Sequence, residues 1–403
     1  MKAFFHDFSL SAAVAGFIAT VISYAGPLVI IFQAAESAQM SRELLSSWVW
    51  AISIGSAVLG IGLSLRYRVP VIIAWSAPGS ALLVALLPGI SMEEAVGAYL
   101  VSSLIIFAVG ICGAFDRIIS KLPSAIAAAM LAGILFSFGT GLFVSLQGKP
   151  LLVLAMFVTY LVCKRLLPRY AVLMVLLVGC AITFAAGDLH REALVIGLAT
   201  PVWVTPQFSL SATLNIALPL VMVALTGQFV PGMAVLRASG YNTPASPIIA
   251  SSALGTALLA PFGCHGLNLA AITAAICTGR EAHEDPSKRY VAGVVGGLFY
   301  LVLGIFGATL VSLFSAFPKE LIAALAGLAL FAAIGGALAG AMAVPNDREA
   351  ALVTFLTTAS GMSLFGLSAA FWGLIFGIAA HVLLNARRPA PVVAAPGEVA
   401  RRP

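Results

Sequence analysis

The stretch "PFGCHGLNLAAITAAICTG" (residues 261–279) places Pro, Gly, His and Asn together inside a long run without charge. Only 9% of the 403 residues are charged, whereas soluble domains carry about a quarter. The mean hydropathy is +1.08. Because Pro and Gly interrupt helices, we interpret this stretch as a break built into a transmembrane segment.

Apolar segments long enough to cross a bilayer recur from one end of the chain to the other. The first is too long for a signal peptide and no clear cleavage site follows it. The sequence therefore predicts an all-α polytopic membrane protein with fourteen spans, at 10–33, 46–65, 69–88, 94–114, 122–147, 150–163, 170–187, 213–236, 247–262, 263–279, 290–314, 318–343, 350–365 and 367–386.

The basic residues are distributed very unequally between the two sides that these spans define. If the loops alternate, 17 of the 21 Lys and Arg residues fall on one side, and only Arg42, Lys149, Arg191 and Lys319 fall on the other. Cytoplasmic loops are enriched in Lys and Arg, so both termini are predicted to be cytoplasmic. This topology explains the net charge of +6 without a nucleic-acid partner. The five cysteines form no CxxC pair, and we predict no metal or cofactor.

Two parts of the chain resemble each other. The sequence "GICGAFDRIISKLPSAIAAAMLAGILF" (110–136) is similar to "GIFGATLVSLFSAFPKELIAALAGLALF" (304–331). The charge distribution places the loop of the first copy in the cytoplasm and the loop of the second outside. Two seven-span halves of opposite orientation follow, and inverted repeats are typical of secondary transporters. The alternative is chance similarity between helices rich in Ala and Gly.

The opening stretch has a counterpart in the first half, "RVPVIIAWSAPGSALLVALLPG" (68–89). Residues 69–74 are too short to span and rich in β-branched side chains, which favour an extended strand. Pro78 and Gly79 are suited to the start of a helix, with Ser76 as its cap. Segment 3 is therefore predicted to be a short strand followed by a half-helix.

Segment 10 is predicted to be broken in the same way. Pro261 and Gly263 disrupt the chain, and a helix is expected from Leu267 to Ile276 with Asn268 near its start. Two half-helices that begin at mid-membrane direct their positive N-terminal ends at one another. Corresponding breaks in two repeats indicate a substrate site, although kinks for helix packing are the simpler alternative.

The motifs "AWSAPGSALL" (74–83), "NLAAITAAIC" (268–277), "RYAVLMV" (169–175) and "SAAFWGLI" (368–375) resemble the BenE family of bacterial benzoate:proton symporters. The resemblance covers nearly the whole chain up to Arg387. It implies the fourteen-span fold of nucleobase and sulfate-permease-like transporters, in which a core domain moves against a gate domain. It also implies a bacterial inner-membrane location and a homodimer through the gate.

On this resemblance the chain divides into six parts. We expect core parts at 1–121 and 213–316, gate parts at 122–187 and 317–386, an external linker at 188–212, and a disordered cytoplasmic tail at 387–403. In nucleobase permeases of this fold, glutamates on spans 8 and 10 hold the substrate. Here Gln228 stands on span 8, and His265 and Asn268 stand on span 10, which makes a nucleobase substrate less expected.

All fifteen acidic residues lie at span ends, in loops or in the tails. A cation carrier would ordinarily place one centrally, whereas helix N-termini, amides and hydroxyls suit an anion. The residues thus favour a small carboxylate, and the resemblance implies that it is aromatic. The predicted substrate-binding residues are Trp75, Ser76, Pro78, Gly79, Gln228, Phe262, Gly266, Asn268, Gln33 and Tyr24.

Several of these residues have a structural alternative. His265 is the candidate for proton coupling because an imidazole titrates near neutrality; a neutral histidine bound to a backbone carbonyl is equally plausible. Gln228 either binds the carboxylate or packs between helices, and Asn268 either binds the substrate or caps its half-helix. Trp75 and Phe262 either enclose an aromatic ring or pack in the core.

The predicted function is secondary active import of benzoate or a similar small aromatic carboxylate, coupled to protons, by alternating access. The main alternative is an uncoupled anion channel on the same fold. An intramembrane hydrolase using Ser360 and His381 lacks a G-x-S-x-G motif, so no enzyme is predicted. A receptor or scaffold role would leave the paired breaks unexplained.

Overall fold

The computed structural model describes residues 2–115, 117, 123–168, 170–189, 192 and 194–385. Some sequence predictions lie outside these residues. They concern the disordered tail at 387–403, the boundary between core and gate at 121–122, and the contributions of Arg169 and Arg191 to the charge distribution.

The first half of the described chain is almost entirely helical. Its elements are α1 (Lys2–Asp7), α2 (Leu10–Ala25), α3 (Pro27–Ser37), α4 (Arg42–Tyr67), β1 (Ile73–Trp75), α5 (Ala77–Leu86), α6 (Met92–Ile111), α7 (Ser124–Ser145), α8 (Pro150–Leu166) and α9 (Ala171–Ala186).

The second half follows an extended linker and is also mostly helical. Its elements are α10 (Leu210–Ala238), α11 (Ala245–Leu259), β2 (Leu267–Leu269), α12 (Ile272–Thr278), α13 (Tyr290–Ile305), α14 (Gly307–Ser315), α15 (Lys319–Ala341), α16 (Arg348–Ala359), β3 (Ser363–Leu364), β4 (Leu367–Ser368) and α17 (Ala369–Asn385). Helix α10 contains two π turns, Thr213–Ala217 and Leu225–Phe229.

Within the described residues, eight helical segments are long and apolar enough to cross a membrane, and shorter apolar helices accompany them. Many large hydrophobic side chains on these helices are exposed, among them Leu104, Leu258 and Leu383. Such surfaces need an apolar solvent. The molecule is therefore a polytopic helical membrane protein.

The two strands pair with each other although some 190 residues separate them. β1 and β2 run antiparallel, with Ala74 opposite Asn268. A single extended segment inside a bilayer would leave its backbone N–H and C=O groups unpaired, and the pairing satisfies them. The prediction of a helix from Leu267 is wrong for this reason: residues 267–269 form the strand, and α12 begins only at Ile272. The capping role considered for Asn268 is equally wrong.

The helices pack in two groups. In one, α13 packs on α2 and α4, α6 packs on α11, and α3 packs on α5; in the other, α7 packs on α15 and α16, and α16 packs on α17. Small residues permit the close approaches. A Cβ on Gly16 of α2 would lie 2.3 Å from the carbonyl oxygen of Ala292 on α13, and Thr20 donates a hydrogen bond to the carbonyl of Gly296. Interfaces of this kind are typical of membrane helices.

The linker between the halves is bound along its length to the first group of helices. The backbone N–H of Ala199 donates to the carbonyl of Ile305, and that of Val204 donates to the carbonyl of Pro261, both at 2.8 Å. Ser47 of α4 accepts a hydrogen bond from the N–H of Val202 at 2.9 Å. Residues 194–208 thus form a strap across the helix ends.

A polar cluster ties α1 to the ends of α4 and α13. Asp7 accepts hydrogen bonds from Arg68 at 3.2 Å and from Tyr290 at 3.0 Å. A hydrogen bond from His6, opposed by burial and reinforced by Tyr290 and the Arg68 charge, lowers the pKa of Asp7 below its usual value.

We expect Asp7→Asn to lower the thermal unfolding midpoint at pH 7. A depressed carboxyl pKa contributes stability above the unfolded-state pKa, and this contribution disappears as the pH falls through the folded-state pKa. The difference between variant and wild type should therefore vanish in strong acid. Midpoints measured in detergent across this range test the expectation, with Glu36→Gln, an exposed carboxylate on α3, as control. A difference that persists in acid would contradict it.

Candidate functional site

A cavity of about 660 Å³ lies between the two groups of helices, within the 300–1,000 Å³ typical of small-molecule sites. Small and apolar side chains make up most of its wall. Polar side chains come from several helices: Ser23, Trp75, Ser124, Thr226, Gln228 and Thr273. Both breaks predicted from the sequence reach this cavity.

The first break contributes Trp75, Ala77 and Pro78 to the wall. Ser76 caps α5 by accepting a hydrogen bond from the N–H of Gly79 at 2.9 Å. Pro78 occupies the second helical position, where a backbone N–H would have no partner within the helix, so its missing N–H costs no hydrogen bond. The local sequence therefore fixes where α5 begins, with its N-terminal end at the cavity.

The second break contributes residues 270–273, where α12 starts. No side chain caps α12. The hydroxyl of Thr273 is buried and has no hydrogen-bond partner among the described residues. The first turns of α5 and α12 thus meet at one cavity.

A third wall is the π turn of α10, which presents Thr226, Gly227 and Gln228. Pro231 explains the turn, since proline has no N–H and its ring clashes with the carbonyl four residues earlier, here that of Gly227. Widening the helix by one residue relieves that clash. The amide of Gln228 is partly exposed and makes no hydrogen bond to another described residue, so it is available to a ligand.

Trp75 lies on the cavity wall and is only 3% exposed. Its ring packs edge-on against Tyr24 at 5.2 Å and Tyr300 at 6.0 Å. The indole N–H is buried without a hydrogen-bond partner among the described residues. Tyr24, whose hydroxyl binds Ser53, therefore supports Trp75 from behind and is not part of the wall.

Phe262 does not line the cavity with Trp75, and of its two alternatives the structure shows packing against other aromatic side chains. Phe262 packs against Trp50 at 5.6 Å and against Trp203 of the strap at 5.5 Å. Gly263 adopts a backbone φ of +101°, which residues other than glycine rarely adopt, and the chain turns there. Phe262 therefore lies under the strap and outside the cavity wall.

The remaining predicted residues lie away from the cavity. Ser76, Gly266 and Asn268 line a separate void of about 10 Å³ together with His265, close to the size of one water molecule. Gly79 and Gln33 line neither space. Sequence reasoning missed Ser23, Ser124, Thr226 and Thr273. Two of them stood close to residues already selected: Ser23 directly precedes Tyr24, and Thr226 lies two residues before Gln228.

His265 is 2% exposed and is bound at both ring nitrogens. The indole N–H of Trp48 donates to Nδ1 at 3.1 Å. Nε2 lies 3.0 Å from the hydroxyl oxygen of Ser80 and 3.4 Å from the carbonyl oxygen of Ser76. The ring thus links α4, the second break and α5 behind the cavity.

A cavity at two helix breaks in a helical membrane protein is typical of the class of membrane transport proteins. The family model described as BenE, benzoate membrane transport protein, matches residues 6–383. The chain is therefore a member of the BenE family, as the sequence motifs predicted. The family is named for transport and not for an enzymatic activity.

Two relatives match over nearly their whole length. The "Benzoate membrane transport protein" of Acinetobacter baylyi (strain ATCC 33305 / BD413 / ADP1) is 51% identical over 384 residues, 95% of this chain and 98% of the relative. The "Inner membrane protein YdcO" of Escherichia coli (strain K12) is 43% identical over 371 residues, 92% of this chain and 95% of the relative.

Solved structures share the fold at low sequence identity. The transmembrane domain of a cyanobacterium bicarbonate transporter, BicA, superposes with a TM-score of 0.58 at 14% identity, covering 94% of this chain and 97% of that chain. Murine Solute Carrier 26 family member A9, an anion transporter in the inward-facing state, gives 0.61 at 14% identity, covering 94% and 68%. At this identity the likeness establishes the fold alone.

Proposed function

We propose that this protein is a secondary active transporter that imports benzoate or a similar small aromatic carboxylate together with protons across the bacterial inner membrane. One observation carries the proposal: a single cavity of about 660 Å³ receives the first turns of both half-helices and the amide of Gln228. The names of the family and of its relative from Acinetobacter supply the substrate.

The proposed topology has fourteen spans in two inverted halves, with both termini in the cytoplasm. In this proposal the core is formed by spans 1–4 and 8–11 and the gate by spans 5–7 and 12–14. The packing of α13 on α2 and α4, and of α7 on α15 and α16, supports this division. The cavity lies where these groups meet, which is the interface that alternating access would open on either side in turn. A homodimer through the gate is part of the same proposal.

The composition of the wall suits a molecule with an apolar ring and one anionic group. Trp75, Pro78 and Leu131 offer apolar surface for the ring. The carboxylate is placed near the first turn of α5, where the helix dipole favours negative charge, and within reach of the Gln228 amide. A hydrogen bond to a charged group contributes about 1.5–3 kcal/mol.

Uptake of radiolabelled benzoate into proteoliposomes tests the function. We expect accumulation when the exterior is acidic and loss of accumulation when an ionophore collapses the pH gradient. Uptake that only equilibrates, whatever the gradient, would instead indicate the uncoupled anion channel. No uptake under either condition would refute the substrate assignment.

Gln228→Ala is expected to raise the KM for benzoate roughly tenfold to a hundredfold, because it removes a hydrogen bond to a charged group. Gln147→Ala is the matched control, since Gln147 is exposed at the end of α7 and lies outside the cavity. Equal KM values for the two variants would exclude Gln228 from the substrate site.

A further inference from the structure

His265 is the centre of a buried hydrogen-bonded chain that joins three elements. The chain runs from Trp48 on α4 through His265 to Ser80 and Ser76 at the start of α5. None of these four residues is more than 2% exposed. Hydrogen bonds that water cannot replace are strong determinants of geometry.

Trp48 fixes the tautomer of the imidazole. An indole N–H is a donor only, so Nδ1, which receives it at 3.1 Å, must carry a lone pair and no proton. In a neutral imidazole the proton then resides on Nε2. The hydroxyl of Ser80 donates to the carbonyl of Ser76 at 2.9 Å, which leaves its oxygen free to accept from Nε2.

The donor and the acceptor of every hydrogen bond between these residues are thereby assigned. Trp48 donates to His265, His265 donates to Ser80, and Ser80 donates to Ser76. The side chain of Ser76 in turn accepts from the N–H of Gly79 and caps α5. Trp75 directly precedes Ser76, and Pro78 follows it by two residues. Both line the cavity.

We propose that His265 is a positioning residue, neutral with its proton on Nε2, that holds the first turn of α5 in register with the second break. This inference rests on the transport function proposed above and replaces the role of proton carrier predicted from the sequence. A proton on Nδ1 would oppose the N–H of Trp48 in a site closed to water, where unsatisfied donors are costly. The titratable neighbours are Cys264 and the ring of Tyr99, 6.3 Å away; among the described residues no charged side chain contacts the imidazole.

The tautomer is measurable without any transport assay. In a variant that keeps His265 and replaces the other four histidines with Gln, ¹⁵N NMR of the full chain in lipid nanodiscs reports both ring nitrogens. We expect an unprotonated Nδ1 and a protonated Nε2 throughout pH 5.5–8. A proton on Nδ1, or an imidazolium that forms within this range, would overturn the proposal.

Transport kinetics separate positioning from proton transfer. Trp48→Phe keeps an aromatic ring but removes the donor, and it should raise the KM for benzoate about tenfold through the lost hydrogen bond. His265→Gln, which can both accept and donate, should retain more affinity than His265→Ala. Both His265 variants should keep the pH profile of wild-type uptake.

Loss of gradient-driven accumulation in His265→Gln, with benzoate binding retained, would identify His265 as the proton carrier and overturn the positioning role. His381→Gln is the control, because His381 lies at the other end of the chain bound to Asp347 and Asn385. A wild-type protein that does not take up benzoate would refute the proposed function, while the NMR result would still decide the state of His265.

Discussion

Gly336→Phe should strongly reduce benzoate uptake while leaving the protein folded. Gly336 lies on α15 and lines the cavity, and a Cβ built on it meets no atom within 4 Å. The Cβ therefore has room, and we expect the phenyl ring beyond it to occupy cavity space that the substrate needs. We expect at least a tenfold loss of uptake, with an unchanged elution profile in size-exclusion chromatography.

Gly335→Phe is a closely matched control. Gly335 is the preceding residue of the same helix, is exposed, and also has no atom within 4 Å of an added Cβ, but it does not line the cavity. Both variants carry the same helix-propensity change and the same added area. Equal uptake by the two variants would show that the substrate does not pass through this cavity.

The first break was predictable because its chemistry is local. Ser76 caps the turn immediately beside it, and Pro78 is suited only to the first turn of a helix. The half-helix start was therefore placed correctly from a few adjacent residues. The class of the protein followed equally directly from its apolar segments, which depend on no long-range contact.

The second break was only partly predictable because its strand exists through a distant partner. Leu267, Asn268 and Leu269 are extended because β1 lies beside them, and nothing within residues 261–279 specifies that pairing. Phe262 illustrates the same limit. Its ring packs against Trp203 in a linker some 60 residues earlier, so the local sequence could not decide between a place in the cavity wall and packing in the core.

The residues that line the cavity were the hardest part of the site to predict from the sequence. Pro231 accounts for the π turn at Gln228 once the structure is known, but a proline in a membrane helix also predicts a simple kink. Small residues such as Ala333 and Gly336 line the cavity, although the same residue types elsewhere pack helices tightly. Whether a small side chain leaves space or fills it depends on the facing helix.

A second large effect is expected from a substitution in the other π turn of α10, Thr213–Ala217. Asn215 lies within it, is 6% exposed, and reaches the hairpin formed by β3 and β4. Its amide donates to the carbonyl of Gly366 at 2.8 Å and accepts from the N–H of Ser368 at 2.6 Å. In the topology proposed above, these bonds join core to gate on the external side.

The cavity extends towards the opposite side. Its wall includes Ser124 at the start of α7 and Ala337 near the end of α15, both of which the proposed topology places towards the cytoplasm. With the proposed topology, this arrangement is inward-facing, and we infer that the contact between Asn215 and the hairpin closes the external side. Removing that contact should favour opening to the outside.

Asn215→Ala is therefore expected to increase external access to the cavity. It removes two hydrogen bonds to the partly exposed backbone of the hairpin, each of which contributes about 0.5–1.5 kcal/mol, and should shift the equilibrium towards the outward-facing state by roughly tenfold. Asn215→Asp keeps the acceptor for Ser368 and loses the donor to Gly366, so its effect should be intermediate.

A cysteine at Gly227 provides the measurement, since an added Cβ there lies no closer than 3.5 Å to a neighbouring atom. In a background without native cysteines, its rate of reaction with a membrane-impermeant maleimide applied outside should rise about tenfold in Asn215→Ala. Asn242→Ala, an exposed asparagine in the loop that follows α10, should leave the rate unchanged. A rate in Asn215→Ala equal to that control, in protein that remains folded, would mean that the hairpin contact does not hold the external side closed.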